Sequence, residues 1–206
     1  MGYSTTLHGI FELDKPLTPA RQRYLMRFSE TRRVARDPAQ LPPDPLRTAV
    51  RLPPGEEGGY FVGVRGHDQD HWASVTGAGV LDGNRPPSGQ PGLWCQWIPN
   101  EDGTAIVWDG GEKFYAYTAW IRYLIEHFLG PWGYVLNGDV QWQGEDEDDR
   151  GIIRVVDNVV SELWGHTIYA GEDGPTLQNI LRHLVKQYGA DFVAVALDDV
   201  LSGGRK

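Results

Sequence analysis

Residues 112–131 read Glu-Lys-Phe-Tyr-Ala-Tyr-Thr-Ala-Trp-Ile-Arg-Tyr-Leu-Ile-Glu-His-Phe-Leu-Gly-Pro, and the way this stretch folds decides the architecture around it. Phe114, Tyr117, Ile121, Leu124, Ile125 and Phe128 recur at spacings of three and four. That period places one wide apolar face on a helix over 112–129. Gly130-Pro131 then reads as a stop, because Gly tolerates a left-handed turn and Pro cannot continue the hydrogen-bond ladder. A helix with one apolar face must bury it against another layer, so the flanking segments are read for strands.

On the C-terminal side, Leu136, Val140 and Trp142 suggest a strand, 144–151 a connecting turn and 152–160 a second strand. On the N-terminal side, 93–98 and 104–108 read as two strands joined by the turn Pro99-Asn100-Glu101-Asp102-Gly103. Further out, residues 4–13 alternate as a strand with Leu7, Gly9, Phe11 and Leu13 on one side. Thr18 can cap and Pro19 can open a helix running to about Arg33, with Tyr24, Leu25 and Phe28 on its apolar stripe. A last helix over 176–188 carries Leu177, Ile180, Leu181, Leu184 and Val185, and 192–197 reads as a short strand. The order predicts an α+β fold: an antiparallel sheet with helices packed on one face, in a ferredoxin-like (split βαβ) topology through residue 142. The expected organisation is an α+β domain over 1–160, interrupted by a long irregular insertion over 37–92, with a C-terminal helical extension over 161–206 packed on the same domain.

The insertion is inferred from punctuation. Residues 37–54 read DPAQLPPDPLRTAVRLPP and residues 77–92 read GAGVLDGNRPPSGQPG, with too many Pro and Gly for long helices or central strands. Within it, Tyr60-Phe61-Val62-Gly63-Val64 is the best short strand. The whole chain has 206 residues, enough to bury a sizeable core, and 11% of them are aromatic, which argues against disorder. No apolar run approaches the roughly 20 residues of a membrane span, and the N-terminus lacks a signal-peptide pattern, so a cytoplasmic protein with no membrane partner is expected. A single cysteine, Cys95, leaves no internal disulfide. The formal charge of −9 is uneven: residues 1–103 carry 11 basic and 12 acidic side chains, residues 104–206 carry 8 and 16. This balance disfavours nucleic acid as a partner, since sequence-independent binding needs many phosphate contacts.

Several segments carry a family signature: Phe11-Glu12-Leu13-Asp14-Lys15-Pro16-Leu17-Thr18, Pro91-Gly92-Leu93-Trp94-Cys95-Gln96-Trp97, Gly111-Glu112-Lys113-Phe114-Tyr115, residues 130–138 and Trp142-Gln143-Gly144-Glu145-Asp146. Over about residues 2–160 the chain resembles a group of hypothetical proteins of bacteria and their phages. The resemblance implies a bacterial cytoplasmic setting, and it implies no activity and no catalytic residue.

Six arginines, Arg21, Arg23, Arg27, Arg32, Arg33 and Arg36, lie on and just after the first expected helix. Guanidinium groups suit phosphate and carboxylate partners; on a solvated helix they pair locally instead, for example Arg32 or Arg33 with Glu30. The acidic run over 145–149 partly imitates a calcium loop, but Arg150 stands where an oxygen ligand belongs, so a solvated hairpin tip is expected and no metal site. His67-Asp68-Gln69-Asp70-His71 has ligand-like composition without an established spacing and reads as a polar loop. Cys95 reads as a small buried thiol, and no nucleophile elbow, P-loop or dinucleotide fingerprint is present. No cofactor is implied.

Trp94, Trp97, Trp108, Trp120, Trp132 and Trp142 fall within one stretch, with Trp120 and Tyr123 off the main stripe of their helix. Those that are not core would form an aromatic patch on the sheet face, rimmed by Asn84, Arg85, Gln96, Glu112 and Lys113. The leading expectation is therefore a binding module that engages a protein or small-molecule partner through this face and the long loop. Its candidate binding residues are Arg32, Arg33, Arg36, Asn84, Arg85, Trp94, Gln96, Trp97, Glu112 and Lys113. The alternative is an enzyme acting on a nucleotide or phosphoester, with Arg32, Arg33 and Arg85 holding phosphate and Glu112 or Glu145 as general acid or base.

Overall fold

The computed structural model describes residues 2–40, 44–52 and 79–165, together with Leu181, Arg182, Val185, Val193 and Ala194. The expected strand over 60–64 and the histidine pair at 67 and 71 lie outside the described residues, as does most of the expected last helix. Leu181, Arg182 and Val185 are helical; so are Val193 and Ala194, where a strand over 192–197 was expected. The chain divides into two compact units, Met1–Gly165 and His166–Lys206.

In the first unit, β1 (Thr6–Gly9) and β2 (Phe11–Leu13) precede α1 (Pro19–Glu30). A short β3 (Ala35–Arg36), a 3-10 turn (Pro38–Gln40) and α2 (Pro45–Ala49) follow, then β4 (Val80–Asp82), β5 (Trp97–Pro99) and β6 (Ala105–Trp108). Next, α3 (Tyr117–Leu124) runs into a π-turn (Ile125–Leu129) and leads to β7 (Leu136–Gln143), β8 (Arg150–Val156) and β9 (Val159–Gly165). The main sheet has the order β5-β6-β2-β7-β8-β9, with β1 also on β7. Its pairings are antiparallel, and β3 with β4 forms a separate antiparallel pair. The protein is thus α+β, built on an antiparallel sheet. No helix of the described residues is long and apolar enough to cross a membrane.

β1 and β2 keep one register against β7, from Thr6 opposite Gln143 to Leu13 opposite Leu136. They amount to the single expected strand, broken at Ile10, where two backbones approach closely. A Cβ on Gly9 would lie 2.5 Å from Asp139 O, and one on Gly138 would lie 2.6 Å from Ile10 O. Both glycines also take positive φ, 121° and 139°, a conformation that disfavours a side chain.

The helices differ from their sequence patterns at the ends. Thr18 caps α1 by accepting from Arg21 N–H, but the helix closes at Glu30, three residues before the expected end. α3 starts five residues later than its periodicity suggests, because Lys113 and Ala116 are left-handed at φ 59° and 55°. Phe114 still reaches the core from this loop, packing edge-on to Trp97 at 5.5 Å. At the other end, Gly130 is right-handed and serves close packing: a Cβ there would fall 2.9 Å from Ile125 O, the carbonyl that accepts the π-turn bond. The left-handed glycine of this turn is Gly133, at φ 75°.

Two strand expectations are also corrected. Of the 93–98 segment only residues 97 and 98 are strand, β5 continuing to Pro99, and residues 93–96 are irregular. The segment 152–160 folds back at Asp157-Asn158, both at positive φ, the two-residue turn that suits a twisted hairpin. The insertion holds α2 and β4, and α2 opens on a cap already visible as Asp44-Pro45: the Asp44 carboxylate accepts from Leu46 and Arg47 N–H with Pro45 in the first turn.

Sheet and helix side chains merge in one aromatic core. Phe28 lies 5.1 Å from Phe128 and 5.9 Å from Trp120, and Tyr24 lies 5.4 Å from Phe128, ring separations typical of edge-to-face packing. Trp97, Trp120 and Trp142 are among the largest fully buried side chains, so three of the six tryptophans considered for the aromatic patch are core, and Trp94, Trp108 and Trp132 are half-buried.

Candidate functional site

The early end of α1 creates the first unusual site. After Thr31 closes the helix, the chain runs extended, held by Arg33 N–H donating to Leu93 O at 2.8 Å and Ala35 N–H to Arg85 O at 2.9 Å. This turns Arg33 and Arg36 inward, so the arginines expected on a solvated face are only 2% and 3% exposed. Arg47, from α2, is 6% exposed. Glu30 pairs with Arg27 at 2.9 Å, not with Arg32 or Arg33 as expected.

Arg33 donates from Nε to Gln90 Oε1 at 3.3 Å, and its guanidinium lies 4.4 Å from the Phe28 ring centre. Its Nη1 and the Gln90 Nε2 have no partner. Burial pulls the Arg33 pKa down to about 10, with the nearby Tyr24, Tyr123 and Cys95 opposing that shift and Arg36 adding to it. Burial also lowers Arg36. Tyr24 accepts from Arg47 Nη1 at 3.3 Å, and desolvation holds its hydroxyl above the usual range. Burial pushes the Cys95 thiol up to about 12, which keeps it protonated and unreactive. Taking a guanidinium out of water without a counter-ion costs several kcal/mol, whereas a desolvated cation–π contact returns about 2 kcal/mol. The buried indole N–H groups of Trp120, Trp132 and Trp142 and the Thr118 hydroxyl are also unpaired, as is Asp44 Oδ2. The Trp and Thr groups are neutral, so Arg33 carries the larger penalty.

The second site is a cleft along β5, which ends the sheet. A cavity of about 280 Å³ is lined by Met26 and Glu30 of α1 and by Trp94, Gln96, Ile98 and Asp109. A second, of about 670 Å³, adds Gln22, Arg23, Arg27 and Val107 and shares Met26 and Ile98 with the first. Gln96 is held from both ends, accepting from Trp108 Nε1 at 3.1 Å and donating to Glu112 O at 3.0 Å. Asp109 accepts from Gly111 N–H at 2.7 Å, yet desolvation holds its carboxyl above the usual range.

The remaining sequence candidates are dispersed. Arg32 donates to Gly83 O at 3.2 Å and to Asn84 Oδ1 at 3.4 Å. The Arg85 side chain is 83% exposed and reaches Asp82 at 3.6 Å. Trp97 is core, donating from Nε1 to Tyr117 O at 2.8 Å. Glu112 and Lys113 are exposed. The acidic tip ties down the N-terminal segment: Tyr3 donates its hydroxyl hydrogen to Asp149, and Ser4 N–H donates to Glu145 at 2.8 Å. Arg33 with Arg36, Arg32 with Asn84, and Trp94 with Gln96 are therefore the groupings the fold produces. Gln90, Arg47, Met26, Ile98 and Asp109 are the site residues that sequence reasoning passed over. Of these only Arg47 had a readable signal, the Asp44-Pro45 cap that starts its helix.

Comparison with family models, curated proteins and solved structures finds no match to this chain.

Proposed function

We propose that the protein is a binding module that takes an extended segment of a partner protein into the cleft between α1 and β5. The observation that carries this is the pair of cavities along the sheet edge that share Met26 and Ile98 in their walls. An edge strand beside a helix offers backbone groups to an added strand and side-chain pockets for alternate residues. Asp109 adds a charge requirement. It is a desolvated carboxylate, and among the described residues no cation stands within ion-pair distance of it. The matching segment places a Lys or Arg beside an apolar residue.

The scaffold reading that goes with this is a ferredoxin-like split βαβ core with α1 and α3 on one face. It is supported by the order β5-β6-β2-β7, in which each helix joins strands at separate places in the sheet. The lone buried Cys95 suits a reducing cytoplasm. The phosphoester enzyme would need Arg85, Glu112 and an arginine of 32–36 in one deep pocket, and the exposed Arg85 and Glu112 do not supply it.

Selection from a random peptide display library on immobilised protein tests the reading. Enriched peptides should carry a basic residue next to an apolar one and bind roughly tenfold or more weakly to Asp109→Asn and to Ile98→Glu. Enrichment indifferent to both substitutions would remove the cleft from consideration.

A further inference from the structure

The cleft leaves the arginine site unexplained. We propose that Arg33 and Gln90 form an enclosed site for a phosphate group, inorganic or on a small phosphomonoester. Two orphan donors define the place: Arg33 Nη1 and Gln90 Nε2 both lack an acceptor, and the two side chains are joined through the 3.3 Å bond from Nε to Oε1. An oxyanion with more than one oxygen can accept from each, converting two unpaired donors into charge-assisted hydrogen bonds.

The chemistry selects the ligand. Both orphans are donors beside a cation, which excludes a metal ion. A water molecule could accept from both but would leave the charge unbalanced. Neither Cys95 nor Tyr24 supplies a counter-anion, because burial keeps the thiol and the hydroxyl protonated. Arg36 lies close enough to Arg33 to depress its pKa, and Tyr24 feels both Arg33 and Arg47. Asp44 is the carboxylate that acts on Tyr24 from the same neighbourhood. A phosphate offers separate oxygens to donors on separate side chains, and a guanidinium suits it as a partner. Arg33 is 2% and Gln90 7% exposed, so a bound anion is shielded from solvent. Entry requires movement of the turn in which Gln90 N–H donates to Pro87 O at 3.1 Å.

Arg33 and Gln90 line neither of the two cavities along β5. Thermal melting of the full chain tests the phosphate site in sodium phosphate, adenosine monophosphate, sodium acetate and sodium chloride at equal ionic strength. At a phosphate concentration about tenfold above Kd, Tm should rise by about 3–6 °C over chloride, while acetate gives no rise. A larger rise with the nucleotide than with phosphate assigns a phosphomonoester; an equal or smaller one assigns inorganic phosphate. Gln90→Leu and Arg33→Met should lose the response, and Ile98→Glu should keep it, which separates this site from the cleft. No phosphate-specific rise in the wild type, an equal rise with acetate, or an undiminished rise in both Gln90→Leu and Arg33→Met would overturn the proposal.

Discussion

Two sides of Phe28 follow opposite rules. Toward α3, its ring meets Trp120, Tyr123 and Phe128, all buried, in contacts between 5.1 and 6.1 Å. There, burial and packing act in the same direction. Toward the chain leaving α1, the same ring faces the guanidinium of Arg33, whose Nη1 has no acceptor. There, burial opposes charge. An apolar residue at position 33 would meet no such desolvation penalty.

The largest effect is expected at the shared ring. Phe28→Ala should destabilise the protein by about 3–5 kcal/mol in urea unfolding, because it opens a cavity on the aromatic side and removes the cation–π face on the other. A cost near zero would mean the aromatic side is not packed as described. A smaller effect is expected where α2 delivers Arg47. Asp44→Ala removes the carboxylate that caps Leu46 and Arg47 N–H and should cost about 1 kcal/mol. Circular dichroism melts would check it, and an unchanged midpoint would show that the cap does not hold α2.

The smallest effect is a pH dependence at the cleft. Desolvation holds the folded pKa of Asp109 above its ordinary 3.8, so the folded protein binds that proton more tightly than the unfolded chain. The stability from this group is fully present below 3.8 and declines as pH rises through the folded value. Asp109→Asn removes the decline, so the urea midpoint of the variant minus that of the wild type should increase with pH across this window. A pH-independent difference would place Asp109 in water.

Elements with a strong period were readable, and so were simple turns. The alternation of Leu7, Phe11 and Leu13, the Thr18-Pro19 start of α1 and the Leu136, Val140 and Trp142 strand follow from local pattern, since one face of each element must be dry. The class of fold followed from their order. What escaped was decided by backbone conformation or by distant partners. Left-handed Lys113 and Ala116 delay α3 although Phe114 keeps the helical spacing, because its side chain reaches the same core from a loop. Arg32 and Arg33 look alike in sequence, yet one bonds Gly83 and Asn84 near the surface and the other is enclosed. The difference comes from Leu93 and Gln90, about sixty residues away. Trp120 and Tyr123 were off the main stripe and so resembled surface aromatics, but the helix meets α1 on that flank as well.

The most direct measurement is equilibrium urea unfolding of the wild type and Arg33→Met in chloride buffer free of phosphate. If Arg33 is retained for an anion and not for stability, the variant should be more stable, by about 1–2 kcal/mol, since a buried charge without a counter-ion is replaced by an apolar side chain of similar length. A variant less stable than the wild type under these conditions would contradict the account, showing that the guanidinium is a structural contact in its own right.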